Sequence, residues 1–176
     1  VLQLTHCGNP DVTEKEYMDV IYRKTGKLFE ASASIGAVLA DQSQIIESSL
    51  TEYGRHVGIA FQLIDDVFDY SSSFEIIGKN IGDDLAEGKP TLPLIYALER
   101  CNSQEQLLIR GAIENKDSRH SEQIIECLRT CGALALTTEK AKASSQKAIA
   151  ALGPLPDSQY KDALLQIARF AIDRTH

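Results

Sequence analysis

The sequence predicts an all-α fold, and three observations carry that expectation. Apolar residues recur at threes and fours along nearly every segment, the spacing that lines one face of a 3.6-residue helix. No stretch alternates apolar and polar residues with β-branched enrichment, so a sheet is not expected. Helix-start chemistry also recurs, as a capping box at Thr13–Glu16 and as Pro90 and Pro93 ahead of an apolar run.

Taken in order, Thr13-Glu14-Lys15-Glu16 places Thr13 at an N-cap with Glu16 reaching back. Tyr17, Ile21, Leu28, Ala31, Ile35 and Leu39 then fall on helical spacing and predict one helix over about 14–40. Its small-sided run from Ala31 to Gly36 permits close approach of a neighbouring helix or a ligand. A second long helix starts near Gln44, with Asp41 and Gln44 as a cap pair, and carries Ile46, Leu50, Tyr53, Val57, Phe61, Ile64 and Phe68. At 1.5 Å per residue it is roughly 38 Å long, a length that suits the centre of a large helical fold. A loop from Ser71 to Lys89, with Gly78, Gly82 and Gly88, leads to the helix opened by Pro90 and Pro93. Residues 103–176 give four more helices, broken near Lys116-Asp117, Cys131-Gly132 and Gly153-Pro154-Leu155-Pro156. With no internal repeat or linker, residues 1–176 read as a single domain.

Composition narrows the function classes. A net charge of -7 argues against sequence-independent nucleic-acid binding, which rests on Lys and Arg neutralising phosphates. No uncharged run of about 18 residues predicts a membrane span. The N-terminus lacks a basic-then-apolar signal pattern, and opens on Val1-Leu2-Gln3-Leu4 without Met, which fits a truncated start. Cys127 and Cys131, with His120 nearby, do not have zinc-finger or knuckle spacing. With Cys7 and Cys101 they read as reduced, partly buried thiols of a cytoplasmic protein.

The chemistry concentrates in F-Q-L-I-D-D-V-F-D-Y, Phe61 to Tyr70. Asp65 and Asp69 are i and i+4 on a helix, and Asp66 stands about 100° around from Asp65. Like charges at that spacing cost about 0.2–0.5 kcal/mol even when solvated, and apolar neighbours add desolvation. Three readings of these carboxylates stay open: they face solvent, they pair with Lys or Arg, or they hold a hard divalent cation. The surroundings favour the third. Gly78-Lys79, Gly82-Asp83-Asp84 and Gly88-Lys89-Pro90 follow in one loop, and Lys24-Thr25 precedes on the earlier helix. Glycines allow close backbone approach, lysines act as point charges for phosphate, and carboxylates hold Mg²⁺ that bridges to substrate phosphates.

This order of motifs resembles the trans-type isoprenyl diphosphate synthases, most nearly their bacterial long-chain polyprenyl class. The resemblance spans essentially the whole chain, including Tyr22-Arg23-Lys24-Thr25-Gly26-Lys27-Leu28-Phe29-Glu30 and the closing Ala163 to Arg174 pattern. It implies the C-terminal portion of an isoprenoid synthase-type helical bundle, acting as an Mg²⁺-dependent prenyltransferase. Such an enzyme condenses an allylic prenyl diphosphate with isopentenyl diphosphate, making long isoprenoid diphosphates for quinone side chains. It implies that Asp65 is the main metal carboxylate, that Asp66 and Asp69 support it, and that Asp83 joins through water. Lys24, Lys79 and Lys89 are implied to contact the allylic diphosphate. Thr25 and Gln62 would line the reacting carbon, and Phe61 would wall its apolar side. A homodimer is implied as well. The family carries two aspartate-rich motifs, and only the second has a match here, so these residues by themselves are not expected to elongate prenyl chains. A non-catalytic partner subunit of a prenyl synthase is the alternative. The motifs Asp65, Asp66, Asp69 and Lys79, all present, speak against it.

Overall fold

The computed structural model describes residues 2–71 and 82–174, and among them every regular element is helical. In chain order they are α1 (Leu2–His6), α2 (Glu14–Ile21), one π-helical turn (Tyr22–Gly26), α3 (Lys27–Leu39), α4 (Gln44–Phe68), α5 (Asp83–Ala86), α6 (Leu92–Arg100), α7 (Ser103–Asn115), α8 (Ser121–Thr130), α9 (Ala133–Ala151) and α10 (Gln159–Asp173). No helix among the described residues is long and apolar enough to cross a membrane.

Packing divides the chain into two compact units, each stitched from two separated stretches. The first gathers the described residues up to Val20 with those from Asp65 to Thr138, and the second gathers Ile21–Ile64 with those from Glu139 onward.

In the first unit α6, α7 and α8 pack on one another, and α5 rests on α7. Leu94, Ile109, Ile113, Ile124 and Leu128 are fully buried there, with Tyr70, Leu85, Cys101 and Cys127 in the same core. Burying each large aliphatic stabilises by about 1.5–3 kcal/mol. The Thr13 box forms as expected: the Thr13 amide donates to Glu16 Oε2 at 2.8 Å, and the Glu16 amide to Thr13 Oγ1 at 3.3 Å. A second box, not anticipated, opens α7, where Asn102 Oδ1 accepts from the Glu105 amide and Glu105 Oε2 accepts from the Asn102 amide. Gly88 sits at φ 67, and a Cβ there would lie 2.8 Å from the Ile113 carbonyl oxygen. Its own carbonyl accepts from the Gly8 amide at 2.8 Å.

In the second unit Tyr53, Val57 and Ala60 of α4 pack with Ala148 and Leu152 of α9 and with Ala168 and Ala171 of α10. The alanines let the helices approach closely enough for side chain–backbone bonds. Tyr53 Oη donates to the Leu164 carbonyl at 2.8 Å, Ser145 Oγ to the Ala168 carbonyl at 2.7 Å, and Ser49 Oγ to the Ala151 carbonyl. A Cβ on Gly58 would lie 2.8 Å from Gly26 Cα, and one on Gly54 would collide with the Phe29 backbone. The closest approach of α3 and α4 is therefore built from Gly26, Gly54 and Gly58. The Ala31–Gly36 run contributes Ala33, but beyond it Ile35, Val38 and Leu39 are exposed.

Three expectations are corrected. The helix over 14–40 runs unbroken from Glu14 to Leu39 but is not α throughout, because the π turn absorbs an extra residue between α2 and α3. The cap of α4 is Ser43, whose Oγ accepts from the Ile46 amide, while Asp41 takes a left-handed turn at φ 47. The stretch expected as loop from Ser71 to Lys89 contains the short α5. The breaks read after α7, α8 and α9 all fall between helices.

Candidate functional site

The acidic sequence at the end of α4 builds an anionic cluster within the first unit. α4 ends at Phe68, but the Asp69 amide still donates to the Asp65 carbonyl at 3.2 Å, so both stay on the helical path. Asp65 and Asp69 are half-buried, whereas Asp66 is only 3% exposed. The 100° offset explains the split: Asp66 turns inward, where Tyr17 Oη donates to its Oδ2 at 2.6 Å. That phenol is itself buried, and burial followed by the Asp66 charge pushes its pKa well up, so it stays a donor. Asp66 is thus held through Tyr17, a partner with no signal in the sequence beyond its place on the apolar face of α2.

Asp69 organises the next segment. Its carbonyl accepts from the Gly82 amide at 3.0 Å, and its Oδ2 accepts from the Asp84 amide at 3.1 Å. Gly82, at φ 83, makes the turn into α5. Asp83 and Asp84 arrive with it, and Asp69 feels both. Burial is the largest influence and Asp84 the next, and together they push the Asp69 carboxyl up to about 7 against the single amide bond. Asp65 and Asp83 accept no side-chain hydrogen bond among the described residues.

Lys89 departs from the expectation of a lysine aimed at phosphate. Its Nζ lies 2.7 Å from Asp84 Oδ1 and 2.9 Å from Glu87 Oε2. Burial opposes its charge, yet the two carboxylates hold its pKa above the ordinary lysine value. Lys89 so neutralises one side of the cluster. Asp84 and Glu87, given no role from sequence, are the groups that fix it. The signal was in Gly82-Asp83-Asp84, whose second acid sits five residues before Lys89 across the Gly88 turn. Tyr70, also fully buried, bonds Thr91 Oγ1 at 2.8 Å and ties the start of this loop to its end. Gly78 and Lys79 lie outside the described residues.

The cluster fits a hard divalent cation by its donor set. Asp65, Asp69 and Asp83 offer only carboxylate oxygens, and Asp69, raised to about 7 by burial and then by Asp84, is partly protonated at neutral pH. No set of three or more His, Cys, Asp or Glu side chains among the described residues comes together so that it could hold a metal ion by itself. An Mg²⁺ that keeps waters and shares its shell with substrate phosphates needs no such set.

In the second unit the π turn carries Lys24 and Thr25. The Lys27 amide reaches back five residues to the Tyr22 carbonyl, which marks the widened turn. Thr25 Oγ1 donates to Gln62 Oε1 at 2.9 Å, and Gln62 is 6% exposed. Since Oε1 accepts from Thr25, the orientation of the Gln62 amide is set. Lys24 is exposed and makes no ion pair among the described residues. Phe61 packs 5.8 Å from the Phe29 ring, and the Arg174 guanidinium lies 3.8 Å over its face while Nη2 donates to the Phe61 carbonyl at 3.2 Å. Behind the turn Glu30, 5% exposed, accepts from Tyr22 Oη and Arg55 Nε, each at 2.9 Å, and pairs with Lys27.

A family model described as polyprenyl synthetase matches residues 1–131. The chain is 47% identical over 175 residues to an octaprenyl diphosphate synthase of Escherichia coli (strain K12), covering 99% of this chain and 54% of that protein. It is 42% identical over 174 residues to an all-trans-nonaprenyl-diphosphate synthase (geranyl-diphosphate specific) of Rhodobacter capsulatus, covering 99% and 53%. A polyprenyl synthase from Caulobacter crescentus CB15, solved with calcium and isoprenyl diphosphate, matches with a TM-score of 0.93 at 36% identity, covering 99% of this chain and 54% of that one. The chain spans about half the length of the curated relatives it matches.

Proposed function

Because the chain belongs to the polyprenyl synthetase family, we propose that it carries the second aspartate-rich half of an Mg²⁺-dependent trans-prenyltransferase. The reaction is condensation of an allylic prenyl diphosphate with isopentenyl diphosphate, and the product a long-chain isoprenoid diphosphate of the kind used for quinone side chains. The observation that supports this reading is the gathering of Asp83 and Asp84 around Asp69, where burial and then these acids raise the Asp69 carboxyl to about 7. A purely structural cluster has no reason to retain that penalty.

Asp65, Asp69 and Asp83 would hold Mg²⁺, with Asp66 steadied by Tyr17 rather than exposed to the ion. When bound, the metal supplies positive charge opposite a leaving diphosphate. Lys89 keeps Asp84 neutralised and the loop in place, and Lys24 and Lys79 are assigned to the diphosphate of the allylic substrate. Thr25 orients Gln62, whose polar face steadies positive charge developing on the allylic carbon. Phe61 presents an aromatic wall that excludes water from that charge. A cytoplasmic homodimer is the proposed setting.

These 176 residues by themselves bind but do not elongate. Calorimetric titration with Mg²⁺ and inorganic diphosphate should show binding that disappears without the metal. An elongation assay should show no turnover. Absent metal-dependent binding would refute the function, and turnover would refute the claim of inactivity. The partner-subunit alternative predicts that Asp69→Asn leaves diphosphate affinity unchanged.

A further inference from the structure

The carboxylate of Glu30 is the most completely satisfied acid in the second unit, and its partners bracket the π turn. Tyr22 opens that turn and Glu30 follows it by four residues. In an unbroken α-helix two residues eight apart point about 80° away from each other. The π turn absorbs one residue, so the pair behaves as if seven apart and comes within about 20° of alignment. The 2.9 Å bond from Tyr22 Oη to Glu30 therefore exists because the turn is wide, and it opposes a return to straight helix. Arg55 of α4 locks the arrangement from the other side. Its Nε donates to Glu30 Oε2, its Nη1 lies 2.8 Å from Glu52 Oε1, and its guanidinium sits 5.5 Å over the Tyr22 ring. Gly26 closes the turn against Gly58, where no side chain fits.

We propose that Glu30 is a positioning residue which, through Tyr22 and Arg55, keeps the π turn wide and so presents Lys24 and Thr25. This rests on the proposed function for the identity of the ligand, and the geometry of the turn stands apart from it. Across the whole turn the extra residue amounts to a register step of about 100°, and in a straight helix Thr25, inside the turn, would take part of that rotation, away from Gln62.

The test compares wild type with Glu30→Gln, Tyr22→Phe and, as a control on the same unit, Glu139→Gln, which touches only the exposed pair with Lys142. Three readings are taken: amide hydrogen exchange by NMR, the side-chain amide resonances of Gln62, and affinity for inorganic diphosphate with Mg²⁺. Glu30→Gln should speed exchange at residues 25–27 at least tenfold relative to residues 56–60 of α4, move the Gln62 resonances and weaken diphosphate binding at least fivefold. Tyr22→Phe should do the same to a smaller degree, and Glu139→Gln should change none of the three. Uniformly faster exchange across the unit with Gln62 unmoved would make Glu30 a contributor to stability alone and overturn the proposal. Should Glu30→Gln not fold, Tyr22→Phe decides it on exchange and the Gln62 resonances. A wild-type chain that does not bind diphosphate sinks the proposed function, while those two readings still judge Glu30.

Discussion

Glu30 and Asp69 are both carboxylates withdrawn from water, one in each unit, and their surroundings treat them oppositely. Burial works to raise the pKa of each. At Glu30, bonds from Lys27, Arg55 and Tyr22 outweigh it and bring the carboxyl to about 2. At Asp69 the neighbours are acids, so burial and Asp84 act together and the carboxyl rises to about 7. A buried charge with its own cations is a finished structural part. A carboxylate crowded by carboxylates is an unbalanced one, and under the proposed function a cation from outside would balance it.

The largest effect should come from dismantling the complete one. Glu30→Ala takes away the buried acceptor shared by Tyr22, Lys27 and Arg55 and should cost about 3–5 kcal/mol in urea unfolding at pH 7. Because folding lowers the Glu30 pKa from 4.5 to about 2, its contribution is present above pH 4.5 and fades as pH falls toward 2. The deficit of the variant should shrink over that window, and a deficit independent of pH would mean that the carboxylate charge is not what matters. Asp69→Asn should go the other way. Folding raises the Asp69 pKa from 3.8 to about 7, so wild type loses stability as pH rises between those values. Above pH 7, without divalent cation, the variant should be more stable by on the order of 2–4 kcal/mol. Mg²⁺ at pH 8 should raise the thermal midpoint of wild type and leave that of Asp69→Asn nearly still, and equal responses would break the contrast. Tyr17→Phe removes the donor on buried Asp66 and should cost about 1–2 kcal/mol by chemical denaturation. At the small end, Lys142→Ala cuts only an exposed pair and should stay within about 0.5 kcal/mol in the same assay.

Much of the fold was legible because it is written in period and punctuation. The Thr13 box, the prolines before α6 and the glycine-marked breaks are local signals, and the helices end where they say. The π turn was not legible, since its register is enforced by Tyr22 and Glu30, which an α-helical period puts on different faces, and by Arg55 on another helix. The same holds at the acids. D-D-x-x-D announces Asp65, Asp66 and Asp69 together, but only Tyr17 on another helix decides that Asp66 turns inward. Lys89 was picked out for its charge, and the pair that engages it, Asp84 and Glu87, depends on the shape of the Gly88 turn. Motif spacing names the chemistry, and long-range partners decide which copy of a residue performs it.

The stitching of each unit from two separated stretches has a consequence for biosynthesis. Chains emerge N-terminus first at roughly 5–20 residues per second. The segment up to Val20 cannot meet its core until α6 to α8 are made, about 100 residues later, and α4 waits a similar stretch for α9 and α10. For several seconds Tyr53, Val57 and Ala60 are synthesised but uncovered. The tie between Gly8 and Gly88 closes a loop of some 80 residues, an entropy cost met late. Until the later helices are made those faces stay uncovered, and the order of synthesis gives neither unit a head start in folding.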